Sequence, residues 1–527
     1  MKKMHVCKKI FSRTMIVLLL TGVLALSFNI QQTKCSEPPT TEWDRTYGGT
    51  SDEILRSLIQ TSDGGYVLAG YTWSFGAGSS DFWLVKTNST GHEQWNRTYG
   101  GTNKDEAWCV VQTSDEGYAL AGETRSFGAG NNDAWLIKTD SAGHMEWNQT
   151  YGGTGYEYAL SVVQTSDGGY ALAGDKRSSD LVNGYFWLVK TNSTGHEQWN
   201  RTYGGTSDEY AFSVVQTGDG GYALAGQTTS FGAGGYDFWL VKTDLAGDVE
   251  WSQTYGGTDF EICRCLVQTG DEGYALAGYT ESLGAGGYDF WLVKTDQNGN
   301  MEWNRTYGGT SDEYAFSVVQ TGDGGYVLAG YTWSFGAGSS DLWLVKTDET
   351  GNMQWNRTYG GPNSESPDGA SSVVETSDGG YALAGGTTSF GAGNSDFWLI
   401  KLAPEVIPAT VDIDPDTLNL RSNGQWITAY IELPEEYNLS EIDVSTILLN
   451  GSISVDPEAP TAIGDYDMDG IADLMVKFDR AAVIALLGTC DYGEETGKSV
   501  DVALAITGEA TGTLFEGVDT IRVLLKG

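Results

Sequence analysis

The chain predicts an all-β fold: a seven-bladed β-propeller of four-stranded blades, followed by a small β-sandwich. Three observations lead there. Thr-Tyr-Gly-Gly starts at Thr46, Thr98, Thr150, Thr202, Thr254, Thr306 and Thr358, a constant step of 52 residues. Each step holds four β-rich runs separated by Gly-rich turns. The repeat block also begins and ends out of phase, on a lone fourth strand and an incomplete last copy. One such unit cannot bury its own apolar faces, so copies must stack on copies.

The copy from Ser207 to Gly257 shows the pattern. Ala211–Gln216 is a β-rich run, and Gly218-Asp219-Gly220-Gly221 is a hairpin turn. Tyr222–Gly226 alternates large and small side chains. A Gly-rich loop then leads to Asp237–Lys242, a short turn follows, and Glu250–Tyr255 ends the unit. The block opens on Trp43–Tyr47, a fourth strand without its blade, and closes on Phe397–Lys401, a third strand without its successor. The opening strand can complete the last blade, which joins the ends and removes an exposed edge. Fourteen of the 18 tryptophans recur at two positions of the repeat, such as Trp239 and Trp251, and read as packing residues between blades.

Four regions follow: a signal peptide or N-terminal anchor (1–36), the propeller (41–402), a linker (403–408) and the sandwich (409–527). Lys2, Lys3, Lys8, Lys9 and Arg13 precede an apolar run from Met15 to Ile30, the pattern of an export signal. Nine Asn-x-Ser/Thr sequons, Asn88 and Asn438 among them, suit an exported glycoprotein, although many fall inside the repeat. The expected location is extracellular or at the cell surface. A formal net charge of −40 opposes nucleic-acid binding.

The motifs Trp-x-x-Thr-Tyr-Gly-Gly, Ser-Asp-Gly-Gly-Tyr-x-Leu-Ala-Gly and Phe-Trp-Leu-Val-Lys-Thr-Asp resemble the tandem β-propeller repeats of secreted archaeal and bacterial proteins over residues 43–402. That resemblance implies a fold and no reaction. Asn192-Ser193-Thr194-Gly195-x-x-x-Trp199 also resembles the tryptophan-docking motif of quinoprotein dehydrogenases. It implies a docking role for Trp199 and its equivalents. The eight blades and adjacent cysteine pair usual in those enzymes are missing, so no cofactor is implied.

The loops entering the first strand and leaving the second share one face of a propeller. They place Asp52, Glu53, Asp312 and Glu313 beside Trp73, Phe75, Trp333 and Phe335 as candidate ligand-binding residues. Carboxylates next to exposed rings suit a sugar, while the same carboxylates can instead satisfy turn N–H groups. No catalytic residue is assigned, because the histidines are dispersed and no nucleophile–base pattern is present. In the last region, Asp465, Asp467, Asp469 and Asp473 surround Gly470 with the alternate spacing of a calcium loop. The loop lacks a Glu at its twelfth position, where Val476 stands, so Glu441 or Asp443 is expected to complete the shell. The leading functional expectation is an exported, non-enzymatic binding or adhesion protein with a glycan or protein ligand. A secreted carbohydrate-active enzyme and a structural cell-surface component are the alternatives.

Overall fold

The computed structural model describes residues 38–177, 183–365, 372–434, 437–488, 499–510 and 512–525. The expected signal segment lies outside them, as do residues 178–182 and 366–371, where the sequence departs from the repeat. No helix among the described residues is long and apolar enough to cross a membrane.

The repeat block forms seven successive four-stranded antiparallel sheets, the arrangement of a tandem β-propeller repeat. In one of them Glu209–Gln216, Tyr222–Thr228, Asp237–Thr243 and Val249–Tyr255 pair in chain order. The opening strand β1 (Thr41–Tyr47) pairs with the last strand of the block, β28 (Asp396–Leu402), with Tyr47 opposite Phe397 and Trp43 opposite Lys401. First strands touch the first strands of both neighbours. One polar link passes between each such pair. Val110 N–H donates to Ser57 Oγ (3.3 Å), Cys109 Sγ to Val162 O (3.8 Å), and Val214 N–H to Ser161 Oγ (3.2 Å). Leu266 N–H donates to Ser213 Oγ (3.2 Å), Cys265 Sγ to Val318 O (3.8 Å), and Val373 N–H to Ser317 Oγ (3.3 Å). The seventh link, Leu58 N–H to Ser372 Oγ (3.3 Å), joins the first sheet to the last. Cys109 and Cys265 thus occupy a serine position in this series.

Packing between sheets repeats as strictly as the sequence. The third-strand tryptophans, Trp83 and Trp135 among them, are buried in the clusters that join neighbouring sheets. Their indole N–H groups need a partner in that apolar setting. Asn148 Oδ1 accepts from Trp135 Nε1 (3.0 Å) and Asn200 Oδ1 from Trp187 Nε1 (3.2 Å); Asp44 Oδ2 serves Trp398 (3.2 Å). Several fourth-strand sequons therefore have a packing reason of their own. Second-strand glycines receive side chains of the preceding sheet: a Cβ on Gly122 would lie 2.6 Å from Phe82 Cζ, and one on Gly385 2.6 Å from Leu342 Cδ2.

The fourth-strand tryptophans dock on a turn of the following sheet. Gly247 has φ +79°, and a Cβ there would lie 2.7 Å from Trp199 Cζ3. Tyr203 fastens the same turn by donating to Gly247 O (2.8 Å). Glycine is therefore required twice over, for the left-handed backbone and for the ring above it. Gly247→Ala should cost about 2–4 kcal/mol, read as a lower urea midpoint at unchanged m-value. An equal change from Ala246→Gly, one residue away, would remove the docking explanation.

Each sheet also carries one buried lysine. Lys86 Nζ donates to Thr87 O (2.7 Å) and pairs with Asp63 of the Asp-Gly-Gly turn (2.9 Å). This explains why Asp-Gly-Gly and Lys-Thr recur together. The pair lies within one sheet and needs no neighbour.

The remaining chain builds two further sheets that share one apolar core. One joins strands Val406–Pro408, Thr417–Asn419, Ile442–Leu449, Ile453–Ser454, Ser499–Ala510 and Thr513–Leu524; the other joins Thr410–Asp414, Trp426–Glu432, Ala462–Gly464 and Asp473–Asp479. Ile413, Ile427, Val476, Phe478, Leu504 and Phe515 are buried between them, and helix Arg480–Gly488 contributes Val483 and Leu487. At the seam with the repeat block, half-buried Glu405 accepts from Trp355 Nε1 (2.8 Å) and Tyr381 OH (3.2 Å). It borders a cavity of about 340 Å³.

Candidate functional site

Aligned copy against copy, four positions of the repeat change between acid, base and ring, and they lie near one another, while the turns after the third strand, such as residues 88–93, vary at the opposite end. The position of Asp52 holds Lys104, Tyr156, Asp208, Phe260 and Asp312 in later copies. That of Arg56 holds Trp108, Leu160, Phe212, Arg264 and Phe316. That of Tyr71 holds Glu123, Asp175, Gln227, Tyr279 and Tyr331, and that of Trp73 holds Arg125, Arg177, Thr229, Glu281 and Trp333. First and second strands pair antiparallel, with Glu53 opposite Thr72, so these groups lie at or near one end of the innermost strands. The repeat is kept where every sheet packs alike. It is broken at one end of the first strands, which lie side by side from sheet to sheet.

One arc of this mouth is charged. Lys104 pairs with Glu106 (2.8 Å) and Glu123 (3.3 Å), Lys176 with Glu157 (3.5 Å), and Arg177 with Asp175 (3.1 Å). The Arg177 guanidinium also lies 4.5 Å from the centre of the Tyr210 ring. Residues 41–402 contain eighteen Lys and Arg, and twelve of them recur at two fixed positions of the repeat. The other six, Arg56, Lys104, Arg125, Lys176, Arg177 and Arg264, all belong to the mouth. Burial pushes the Asp175 carboxyl up to about 7; Arg177 opposes the shift, and Glu123 and Asp208 add to it. Burial likewise raises Glu123 against the pull of Lys104. Glu123 Oε2, Glu157 Oε2 and Gln227 Oε1 are buried atoms without a hydrogen-bond partner.

The opposite arc is aromatic. Tyr314 lies 4.6 Å from Tyr279, 5.3 Å from Tyr288 and 5.5 Å from Trp333, and Tyr331 lies 5.2 Å from Trp333. Beneath both arcs two arginines stack on rings. Arg56 sits 4.1 Å from Trp108, and Arg264 sits 4.3 Å from Phe212. Arg56 Nη2 donates to Tyr71 OH and Arg264 Nη2 to Tyr279 OH, both at 3.0 Å.

The residues singled out in the sequence divide between mouth and scaffold. Trp73 and Trp333 are 42% and 38% exposed and touch the axial rings Tyr71 and Tyr331. Asp52 and Asp312 are half-buried, and their carbonyls accept the N–H groups of Trp73 and Trp333 (3.0 Å each). Phe75 and Phe335 are exposed, but each leans on a third-strand tryptophan, 5.6 Å from Trp83 and 5.4 Å from Trp343, and each recurs in other copies. Glu53 and Glu313 do not face a ligand. Both are fully buried, accept from Gly49 and Gly309 N–H (2.7 Å each), and take the Thr72 and Thr332 hydroxyls (2.7 and 2.8 Å). An acid stands there in every copy because each turn leaves those donors inside the protein. Glu123, Asp175 and Gln227 were not singled out from the sequence. Position-by-position comparison of the seven copies, in search of disagreement, would have found them.

In the last region the Asp-rich loop folds on itself. One ligand oxygen from each of Asp465, Asp467 and Asp473 lies within 4.8 Å of the others, and the same holds for Glu432, Asp467 and Asp469. Met468 and Gly470, at φ +65° and +99°, make the bend. Glu432 is the outside carboxylate brought to the loop, in place of the expected Glu441 or Asp443. Asp443 instead accepts from Ser445 N–H (2.9 Å). Burial raises the Glu432 carboxyl, and Asp469, Asp473 and Asp467 add to the rise.

No protein-family model matches this chain. The regulatory protein FlaEY of Caulobacter vibrioides is 26% identical over 193 residues, 31% of this chain and 20% of that protein, so the match spans about a fifth of that relative's length. Among solved structures, the BP39L lectin from Burkholderia pseudomallei matches with a TM-score of 0.45 at 10% identity, over 68% of this chain and 99% of the lectin. The Neurospora crassa Pan2 WD40 domain matches with a TM-score of 0.43 at 9% identity, over 71% and 98%. A protein of unknown function from Dyadobacter fermentans matches with a TM-score of 0.41 at 12% identity, over 70% and 100%. At this distance shared architecture implies no shared ligand.

Proposed function

We propose an exported, non-enzymatic binding protein: a closed seven-bladed propeller that holds its ligand, a glycan or a protein, at one axial mouth, joined to a β-sandwich. Two features support closure: the pairing of β1 with β28, and the seven links between first strands. Two sheets over a common core support the sandwich. The carrying observation for binding is the change of charge and ring character from copy to copy at one end of the first and second strands. A sevenfold surface offers seven equal environments, whereas one asymmetric ligand needs one unequal site. Export rests on the basic-then-apolar N-terminus. Purified protein incubated with immobilised glycans and proteins should retain a ligand unchanged. Conversion of the ligand to product would replace this reading with the second one, a carbohydrate-active enzyme. That alternative draws on Asp175, whose raised carboxyl suits proton transfer near neutral pH.

The Asp-rich loop is read as a structural calcium site held by Asp465, Asp467, Asp469 and Asp473 with Glu432. Gathered carboxylates repel one another, and a divalent cation relieves that repulsion. Millimolar calcium should raise the melting temperature by several degrees. EDTA should reverse the rise, and Asp467→Ala should abolish it. A melt indifferent to both calcium and EDTA would dismiss the site.

A further inference from the structure

The mouth leaves groups of both hydrogen-bonding senses unsatisfied. Glu123 Oε2 and Gln227 Oε1 are acceptors without partners, on residues only 2% and 6% exposed. Arg56 Nε, Arg264 Nε and Trp108 Nε1 are buried donors without partners on the wall beneath. Buried polar groups need partners, supplied here by water or by a ligand. An anion answers only the donors, and an ammonium group only the acceptors. A hydroxyl donates and accepts, so one polyhydroxylated molecule answers both sets. The cations do not form an anion site, because Lys104, Lys176 and Arg177 are already paired with carboxylates. Across the mouth exposed Trp333 and half-buried Tyr314 supply flat rings that suit the C–H face of a pyranose.

We infer that the axial mouth is a saccharide site for an uncharged sugar. Trp333 and Tyr314 stack the ring, while Glu123 and Gln227 take its hydroxyl protons. This rests on the binding reading above and names the ligand class within it.

The test uses the full purified chain on an array of neutral oligosaccharides, with heparin, polylysine and a protein panel as comparators. Titration of the best-retained neutral oligosaccharide then follows. Glu123→Gln, Gln227→Ala and Trp333→Ala should each weaken binding by about tenfold, with the thermal melt unchanged. Phe127→Ala, at a recurring rim position outside the mouth, should leave affinity unaltered. The saccharide assignment is overturned if no oligosaccharide is retained, if only heparin, polylysine or a protein is retained, or if the three variants bind as well as the parent. Retention of a protein alone would leave the binding reading standing with another ligand. Release of cleaved sugar would instead sink the non-enzymatic reading while keeping the saccharide.

Discussion

Deleting residues 38–47 should lower the melting temperature by about 10 °C or more and make the protein associate with itself. The deletion strips β1 from β28 and bares a full row of backbone donors and acceptors on a strand whose every residue is otherwise buried. It also removes Trp43 from its seat on Gly91 and the Tyr47 OH bond to Gly91 O (2.6 Å), so the first and last sheets both lose contacts. A free strand edge of this length is a template for pairing with a second chain. Calorimetry and light scattering of the truncated chain measure both effects. A monomer with the parent's melting temperature would show that β1 does not close the repeat. Adding back a peptide of residues 38–48 should restore part of the lost stability, because the edge it pairs with is already formed.

Stability should peak at acid pH, above the range in which Asp63 and its equivalents protonate, and fall on both sides. Two repeated sets of carboxylates act in opposite senses. Hydrogen bonds from the Thr61 hydroxyl, Lys86 and Gly65 N–H outweigh burial and hold Asp63 down to about 2; Asp167, Asp219 and Asp271 are held at about 2 in the same way. Their folded pKa lies below the unfolded value, so their stabilisation is present above that value and is lost as pH falls through about 2. The second set faces the seams between sheets. Burial raises Asp81, Asp237, Asp289, Asp341 and Asp396, and each has a neighbouring acid that adds to the rise, such as Glu53 beside Asp396. A Cβ on Gly48 would lie 1.6 Å from Asp396 Oδ1 and 2.6 Å from Glu53 Oε2, so both carboxylates crowd one glycine. Their folded pKa lies above the unfolded value, so their stabilisation is full at low pH and is lost as pH rises through it. Urea midpoints from pH 2 to 8 should trace the peak, and Asp396→Asn should flatten its alkaline side. A midpoint that climbs steadily to neutrality, with Asp396→Asn no different from the parent, would contradict the seam account.

Much of the architecture is legible in the chain because its causes are local and repeated. The run Tyr222–Gly226, the turn Asp219-Gly220-Gly221 and Trp239 each answer a need that recurs in every sheet, so seven copies report it seven times. The docking role of Trp199 came from a resemblance, and in the structure Gly247 lies beneath its ring. Glu53 stayed open between two roles because an acid beside a glycine turn reads alike whether its carboxylate faces solvent or the turn's own N–H groups. Glu432 was missed because it meets the Asp-rich loop through strand pairing across more than thirty residues of chain, a distance that no local pattern spans.

Period, strand order and the buried positions of the sheets follow from the sequence alone, because each depends on contacts repeated at a fixed spacing. The mouth does not. Lys104, Glu123, Asp175, Arg177, Gln227 and Trp333 stand at three positions of the repeat but share no residue type. Only the placing of first strands side by side brings them to one end of the axis. There the contacts that make the copies alike are absent, and side chains are free to differ.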